Sequence, residues 1–101
     1  MDNYISIGKH KYDNDKLFDL AEYHHTWFHI AHESSAHLWL SKSIESMSKQ
    51  DIYLTALQLK KRSKYAKVNA IEIVYAQKSQ LQKTNVIGQI NIIGKSKIIR
   101  V

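Results

Sequence analysis

The sequence of 101 residues contains no cysteine, no proline and only three glycines. The absence of cysteine excludes disulfides, thiolate metal centres and cysteine nucleophiles. The scarcity of proline and glycine favours regular elements joined by a few definite turns. No apolar run approaches the length of about 18 residues that a membrane span requires, and the N-terminal region shows no signal-peptide pattern. The sequence therefore predicts one cytoplasmic domain with no transmembrane segment.

Charge is distributed unevenly along the chain. Residues 1–51 contain five lysines and eight acidic residues, whereas residues 52–101 contain ten lysines or arginines and one acid, Glu72. The net charge of +6 thus combines an acidic half with a strongly basic half. A basic region with so few acids attracts polyanions, above all nucleic acid, with an anionic membrane surface as the alternative. A solvated, solubilising surface would have the same composition, and this alternative stays open.

Two short alternating segments, residues 26–30 and 36–40, predict a β-hairpin around a turn at residues 33–35. Antiparallel counting sets Trp27 opposite Trp39 on one face. The same register brings His29 opposite His37 on that face. The other face then carries the apolar side chains Phe28, Ile30, Ala36, Leu38 and Leu40.

The remaining pattern predicts an α+β fold. We expect a strand at residues 4–7, a helix that begins at Asp13 or Asn14, and a longer helix after a Ser48–Asp51 capping box. Residues 71–75 predict a further strand and residues 76–85 a loop. A second hairpin is predicted from residues 88–93 and 97–101, turning at Gly94. This order indicates a single domain, residues 1–101, with a largely antiparallel sheet and two main helices packed on it.

The end of the second predicted helix is rich in cations. Each cation near a helix C-terminus gains about 0.3–1 kcal/mol from the helix dipole, which accounts for one or two of them. The cations are Lys60, Lys61, Arg62, Lys64 and Lys67, and the excess predicts phosphate contacts made by Lys60, Lys61, Arg62 and Lys64. Trp27, Trp39 and Tyr12 would stack exposed bases at about 1–3 kcal/mol each, unless both tryptophans are core residues.

Six histidines also suggest a metal site, in which His29 and His37 would be joined by His32 or Glu33. No cysteine and no clear third ligand support it. Ser34 and Ser35 precede His37 but lack the glycine-rich elbow that presents a nucleophile. The sequence therefore predicts no metal, no cofactor and no catalysis, with a histidine-metal hydrolase as the weakest alternative.

Five segments resemble the NFACT-R domain family, also called DUF814, in their order and approximate spacing. They are GKHKYDNDKL at 8–17, WFHI at 27–30, SSAHL at 34–38, LQKT at 81–84 and GQI at 88–90. The resemblance extends over residues 4–101 and implies an RNA- or DNA-binding module of ribosome quality-control factors, which bind tRNA and the large ribosomal subunit. It is strongest to a branch that continues into a charged coiled coil. That coiled coil is not among these residues, so the resemblance implies an isolated recognition module without tail elongation.

Charge pattern and resemblance together predict a non-catalytic module that binds structured RNA, either tRNA or rRNA, with the ribosome as a further partner. Lysine charge cannot distinguish RNA from DNA, so a DNA-binding module stays open. A protein-interaction adaptor that uses the aromatic face is the other alternative. The predicted contact residues are Lys9, Lys11, Trp27, His29, His37, Lys60, Lys61, Arg62, Lys64 and Lys83.

Overall fold

The computed structural model describes residues 4–101 and has the predicted α+β architecture. Its strands and helices are β1 (Ile5–Gly8), α1 (Lys11–Leu20), β2 (Thr26–Ile30), β3 (His37–Leu40), α2 (Lys49–Lys61), β4 (Glu72–Gln77), β5 (Leu81–Lys83), β6 (Ile90–Ile92) and β7 (Lys97–Arg100). Within residues 4–101, neither helix has the length and apolar character needed to cross a membrane.

Five strands form the main sheet in the order β1-β3-β2-β4-β7, and every neighbouring pair is antiparallel. Strands β5 and β6 form a separate two-stranded sheet. The β2–β3 hairpin has the predicted register, since Trp27 lies opposite Trp39 and Phe28 opposite Leu38.

Both faces of the main sheet are covered. Alternate side chains of β2 and β3 point to opposite faces, as the period of a strand requires. One face packs against α2 in a core of Phe28, Ile30, Leu38, Leu40, Met47, Ile52, Ala56, Leu59, Ile73, Tyr75 and Val101. The other face forms a second core of Trp27, Trp39, Ala76 and Leu81, which α1 residues Leu17 and Phe18 help to cover.

The two helices differ in how they begin. Helix α2 has the predicted capping box: the Asp51 N–H donates to Ser48 Oγ at 3.1 Å, and the Ser48 N–H donates to Asp51 Oδ2 at 3.0 Å. The predicted start of α1 at Asp13 or Asn14 is wrong, because α1 begins at Lys11 with His10 at its N-cap and no side-chain cap. Asn14 is instead buried, with its side-chain oxygen against Gly8.

The predicted C-terminal hairpin is also wrong. Strand β6 pairs with β5, whereas β7 pairs with β4 at the edge of the main sheet. Residues 76–85 are not a loop, because β4 extends to Gln77 and β5 begins at Leu81. Gln80 lies between β4 and β5 and attaches that segment to the chain between β6 and β7. Its carbonyl oxygen accepts a hydrogen bond from the Ile93 N–H, and its Oε1 accepts one from the Lys95 N–H, each at 2.8 Å.

Gly88 fixes the loop between β5 and β6 against the start of α1. Its φ is +80°, in the left-handed region that favours glycine. A Cβ at this position would lie 2.7 Å from both the Cα and the carbonyl oxygen of Lys11. Only glycine allows this approach, because both contacts are with atoms that the helix holds in place.

Gly88→Ala is therefore expected to lower the free energy of unfolding by about 1–3 kcal/mol from backbone strain, with a further loss from the contact with Lys11. Urea denaturation measures it. Gly94→Ala is the comparison, because its φ is not positive and its new Cβ meets the flexible Gln80 side chain, so the expected loss is limited to about 1 kcal/mol from the displaced hydrogen bond with the Lys95 N–H. Equal losses in the two variants would contradict the special role of Gly88.

Candidate nucleic-acid interface

A groove of about 830 Å³ opens where the β1–α1 turn, the β2–β3 hairpin and the loop before β6 meet. Five predicted contact residues line this groove together: Lys9, Lys11, Trp27, His29 and His37. Its far wall is formed by residues 86–90, which the sequence analysis did not assign to the site. The GQI segment at residues 88–90 was the available signal, since it carries part of the family resemblance.

Three aromatic rings form the floor of the groove. The rings of Trp27 and His29 are stacked at 5.2 Å between centroids, with planes 11° apart. His37 lies edge-on to both, at 5.5 Å from Trp27 and 4.9 Å from His29. Trp27 is only 4% exposed because it belongs to the second core, so the expected exposed stacking platform is wrong at Trp27 and at the equally buried Trp39.

The histidines of the floor are held in their neutral form. Burial, with a smaller contribution from nearby His29, lowers the pKa of His37 to about 3. Burial also lowers the pKa of His29. Both rings are thus uncharged at pH 7, and the positive charge of the groove comes from its rim.

Lys9 and Lys11 supply that rim charge. Both side chains are exposed, and neither forms an ion pair with a residue of the described chain. Glu33 is the one carboxylate among the described residues that line the groove, and its Oε1 lies 3.7 Å from Lys64 Nζ. The rim therefore keeps unneutralised cations next to the aromatic floor.

The basic end of α2 lies on the other side of the β2–β3 turn. Arg62 and Lys64 line a smaller cleft of about 250 Å³. Residues 34–36 line both this cleft and the groove. Lys61 is exposed at the end of the same helix. The two predicted groups of cations thus flank one turn.

Two predicted phosphate contacts are placed differently by the structure. Lys60 is only 7% exposed, because the helical period sets it eight residues after Ile52, on the buried side of α2. Lys83 Nζ lies 3.1 Å from Asp15 Oδ1 and 2.8 Å from Asp19 Oδ1. The hydrogen bonds that Lys83 donates to Asp19 and Asp15 raise the pKa of Lys83, so its charge is engaged in attaching β5 to α1.

Among the described residues, no third metal-ligating side chain lies close enough to His29 and His37 to share an ion with both. Within residues 4–101, the side chains close enough to share an ion are Glu22, His24 and His25, away from the groove. His25 Nδ1 accepts a hydrogen bond from the Glu22 N–H at 3.2 Å, which leaves the proton of the neutral ring on Nε2. That nitrogen, 4.0 Å from Glu22 Oε2, is thus a donor in the folded chain.

An α+β domain with a cationic groove over an aromatic floor defines a small binding module. The sequence model of the family described as "NFACT protein RNA binding domain" matches residues 1–97. The chain belongs to this family, which confirms the resemblance seen in the sequence.

Two curated relatives that the chain matches are longer than the chain. Coiled-coil domain-containing protein 25 of Danio rerio is 36% identical over 86 residues, which cover 79% of this chain and 41% of that protein. The protein of the same name from Bos taurus is 34% identical over 85 residues, with the same coverage. These matches confirm the similarity to the coiled-coil branch. The chain spans about two fifths of the length of these relatives.

The fold is also shared with a solved structure. The C-terminal part of the fibronectin/fibrinogen-binding protein from Streptococcus suis superposes with a TM-score of 0.85, covering 98% of this chain and 41% of that one. Its sequence identity is 22%, so the likeness shows the common fold.

The depressed pKa of His37 predicts a loss of stability in acid. The unfolded chain, where this pKa is about 6.5, binds the proton first, so the free energy of unfolding falls as the pH drops from about 6.5 toward 3. His37 should account for about 2 kcal/mol between pH 7 and pH 5. Urea denaturation at both values measures the loss, and His37→Phe should reduce it. An unchanged loss in that variant would contradict the assignment.

Proposed function

We propose that this domain is a non-catalytic module that binds structured RNA, either tRNA or rRNA, in cytoplasmic ribosome-associated quality control. The observation that carries the proposal is the presence of exposed cations on both sides of the β2–β3 turn, in a chain of an RNA-binding family. The chain spans about two fifths of its relatives' length, so the role in ribosome-associated quality control is proposed for the longer protein of which such a domain is a part.

The exposed cations suit the phosphate backbone. Lys9 and Lys11 stand on one side of the β2–β3 turn, and Lys61 and Arg62 on the other. Lysines bind phosphate as point charges without reading sequence, whereas arginine can bind it with two parallel hydrogen bonds. A surface with cations on both sides of a turn would recognise the shape of a folded RNA through its backbone.

The hydroxyl of Ser35 beside the groove is engaged in local hydrogen bonds, which favours a binding role over a role as a nucleophile. Ser35 Oγ donates to the Ala36 carbonyl at 3.1 Å and accepts from the Ile30 N–H at 3.3 Å. Its hydroxyl therefore shapes the turn. His37, the nearest imidazole in the sequence, is buried in the second face of the sheet, where it packs edge-on against Trp27.

Reversing the charge of the rim should weaken RNA binding. Lys9→Glu with Lys11→Glu is expected to reduce affinity for tRNA about tenfold or more and to lower the slope of log affinity against log salt by about 2. Fluorescence anisotropy at several salt concentrations measures both quantities. Lys16→Glu with Lys49→Glu is the matched control, since it makes the same change in charge at two exposed lysines outside the groove. Equal effects of rim and control variants would contradict the proposal, and tighter binding to duplex DNA than to tRNA would redirect it to DNA.

The basic end of α2 is tested separately. Lys61→Glu with Arg62→Glu should also weaken tRNA binding and lower the salt slope, because both side chains are exposed beside the turn. Lys95→Glu with Lys97→Glu makes the same change in charge before and within β7 and should have a smaller effect. A larger loss from the β7 pair would place the RNA on another face.

A further inference from the structure

A single carboxylate lies within the cationic surface. Within residues 4–101, Glu33 is the one carboxylate that lines either the groove or the smaller cleft. It lines the groove together with Lys9 and Lys11. Its Oε1 lies 3.7 Å from the Nζ of Lys64, which lines the cleft. A negative charge thus adjoins both groups of cations that the proposed function assigns to the RNA backbone.

The backbone of the β2–β3 turn fixes the place of Glu33. Ser35 Oγ accepts a hydrogen bond from the Ile30 N–H at 3.3 Å, across the turn. His32, which precedes Glu33, has a φ of +63°, in the left-handed region that few non-glycine residues adopt. Such a conformation persists where the surrounding structure imposes it. The hairpin itself therefore sets the carboxylate beside the cations.

The ion pair between Glu33 and Lys64 is one that a ligand can open. The two side chains are 36% and 75% exposed, and exposed pairs gain little and are screened by salt. Lys64 Nζ also lies 5.4 Å from the centre of the ring of Tyr65, which packs against the core beneath α2. This ring attracts the ammonium to the cleft. A phosphate that reaches Lys64 must therefore take the place of the Glu33 carboxylate.

A carboxylate in this position penalises some polyanions more than others. Lysines bind any phosphate backbone, so discrimination requires an element that disfavours the wrong ligand. A single strand has a phosphate at every nucleotide, so a strand bound to both sides of the turn brings phosphates across Glu33. A folded RNA can instead span the turn with a groove between two backbone segments, which keeps its phosphates away from the carboxylate.

We infer that Glu33 is a specificity-determining residue of the RNA-binding surface. It pairs with Lys64 in the free domain and repels phosphate at the β2–β3 turn, so that unstructured single strands bind less tightly than a folded RNA with backbone on both sides of the turn. This inference rests on the proposed function and deepens it, because it names the feature that separates structured RNA from other polyanions.

Glu33→Gln tests the inference with a side chain of the same shape. The variant is expected to bind an oligo(U) single strand about threefold more tightly than the parent, while its affinity for tRNA stays within about twofold. The slope of log affinity against log salt for oligo(U) should steepen by about 1, because Lys64 becomes available to a phosphate. Fluorescence anisotropy at several salt concentrations measures affinity and slope. Glu45→Gln is the matched control, since it removes the same charge from an exposed residue outside both cavities, and it should not change the preference for tRNA.

A double variant separates the role of Lys64 from a general effect of charge. With Lys64→Gln also present, the steeper salt slope of Glu33→Gln should disappear, because the freed cation is then missing. Equal gains for tRNA and oligo(U), the same changes in Glu33→Gln and Glu45→Gln, or a parent without preference for tRNA would overturn the role of Glu33, while tRNA binding by the parent leaves the proposed function in place. A parent that binds neither RNA would overturn both.

Discussion

The burial of β2 and β3 on both faces is the constraint on which the rest of the structure depends. Because side chains alternate along a strand, Trp27 and Trp39 enter one core while Phe28 and Leu38 enter the other. Each face of these strands must then be covered by other elements. Helix α2 covers one face, and α1 with the β5–β6 sheet forms the second cover, on the other face. The groove lies where the second cover stops, over the rings that follow Trp27 on the same face. The pattern that packs the core thus also sets the floor of the site.

Local signals predicted the elements well, whereas pairing between distant segments was not accessible from the sequence. The β2–β3 register followed from alternation, and the start of α2 from its capping box. The sequence predicts that β7 pairs with β6, because both segments are short and apolar and Gly94 lies between them. In the structure β7 pairs with the free edge of β4, and no local sequence pattern indicates that this edge is open. The sequence predicted the residues on one side of the groove only. Its far wall, residues 86–90, is brought there by the contact of Gly88 with Lys11, which lies far away in the sequence.

The lysines fall into two groups that composition cannot separate. Some hold the second cover in place: Lys83 joins two carboxylates of α1, and Lys78 Nζ donates to the Ala21 carbonyl at 2.7 Å and lies 4.7 Å from the centre of the Phe18 ring. Others, such as Lys9 and Lys11, have no carboxylate partner in the described chain. The net charge therefore overstates the number of cations available to a polyanion. The positions of the unpaired lysines indicate where such a ligand can bind.

The strand order has a consequence for how the chain reaches its folded state. In the five-stranded sheet, β2 and β3 are joined by a short turn, but Thr26 must find Gln77 and β1 must find β3 across α1 and β2. Distant pairings form slowly, because the entropy of closing long loops is lost before contacts compensate for it. Among the pairings of the main sheet, β2–β3 closes the shortest loop, so we expect it to form first, and the groove is complete only once residues 86–90 pack against α1. The groove would therefore be completed after the hairpin that forms its floor.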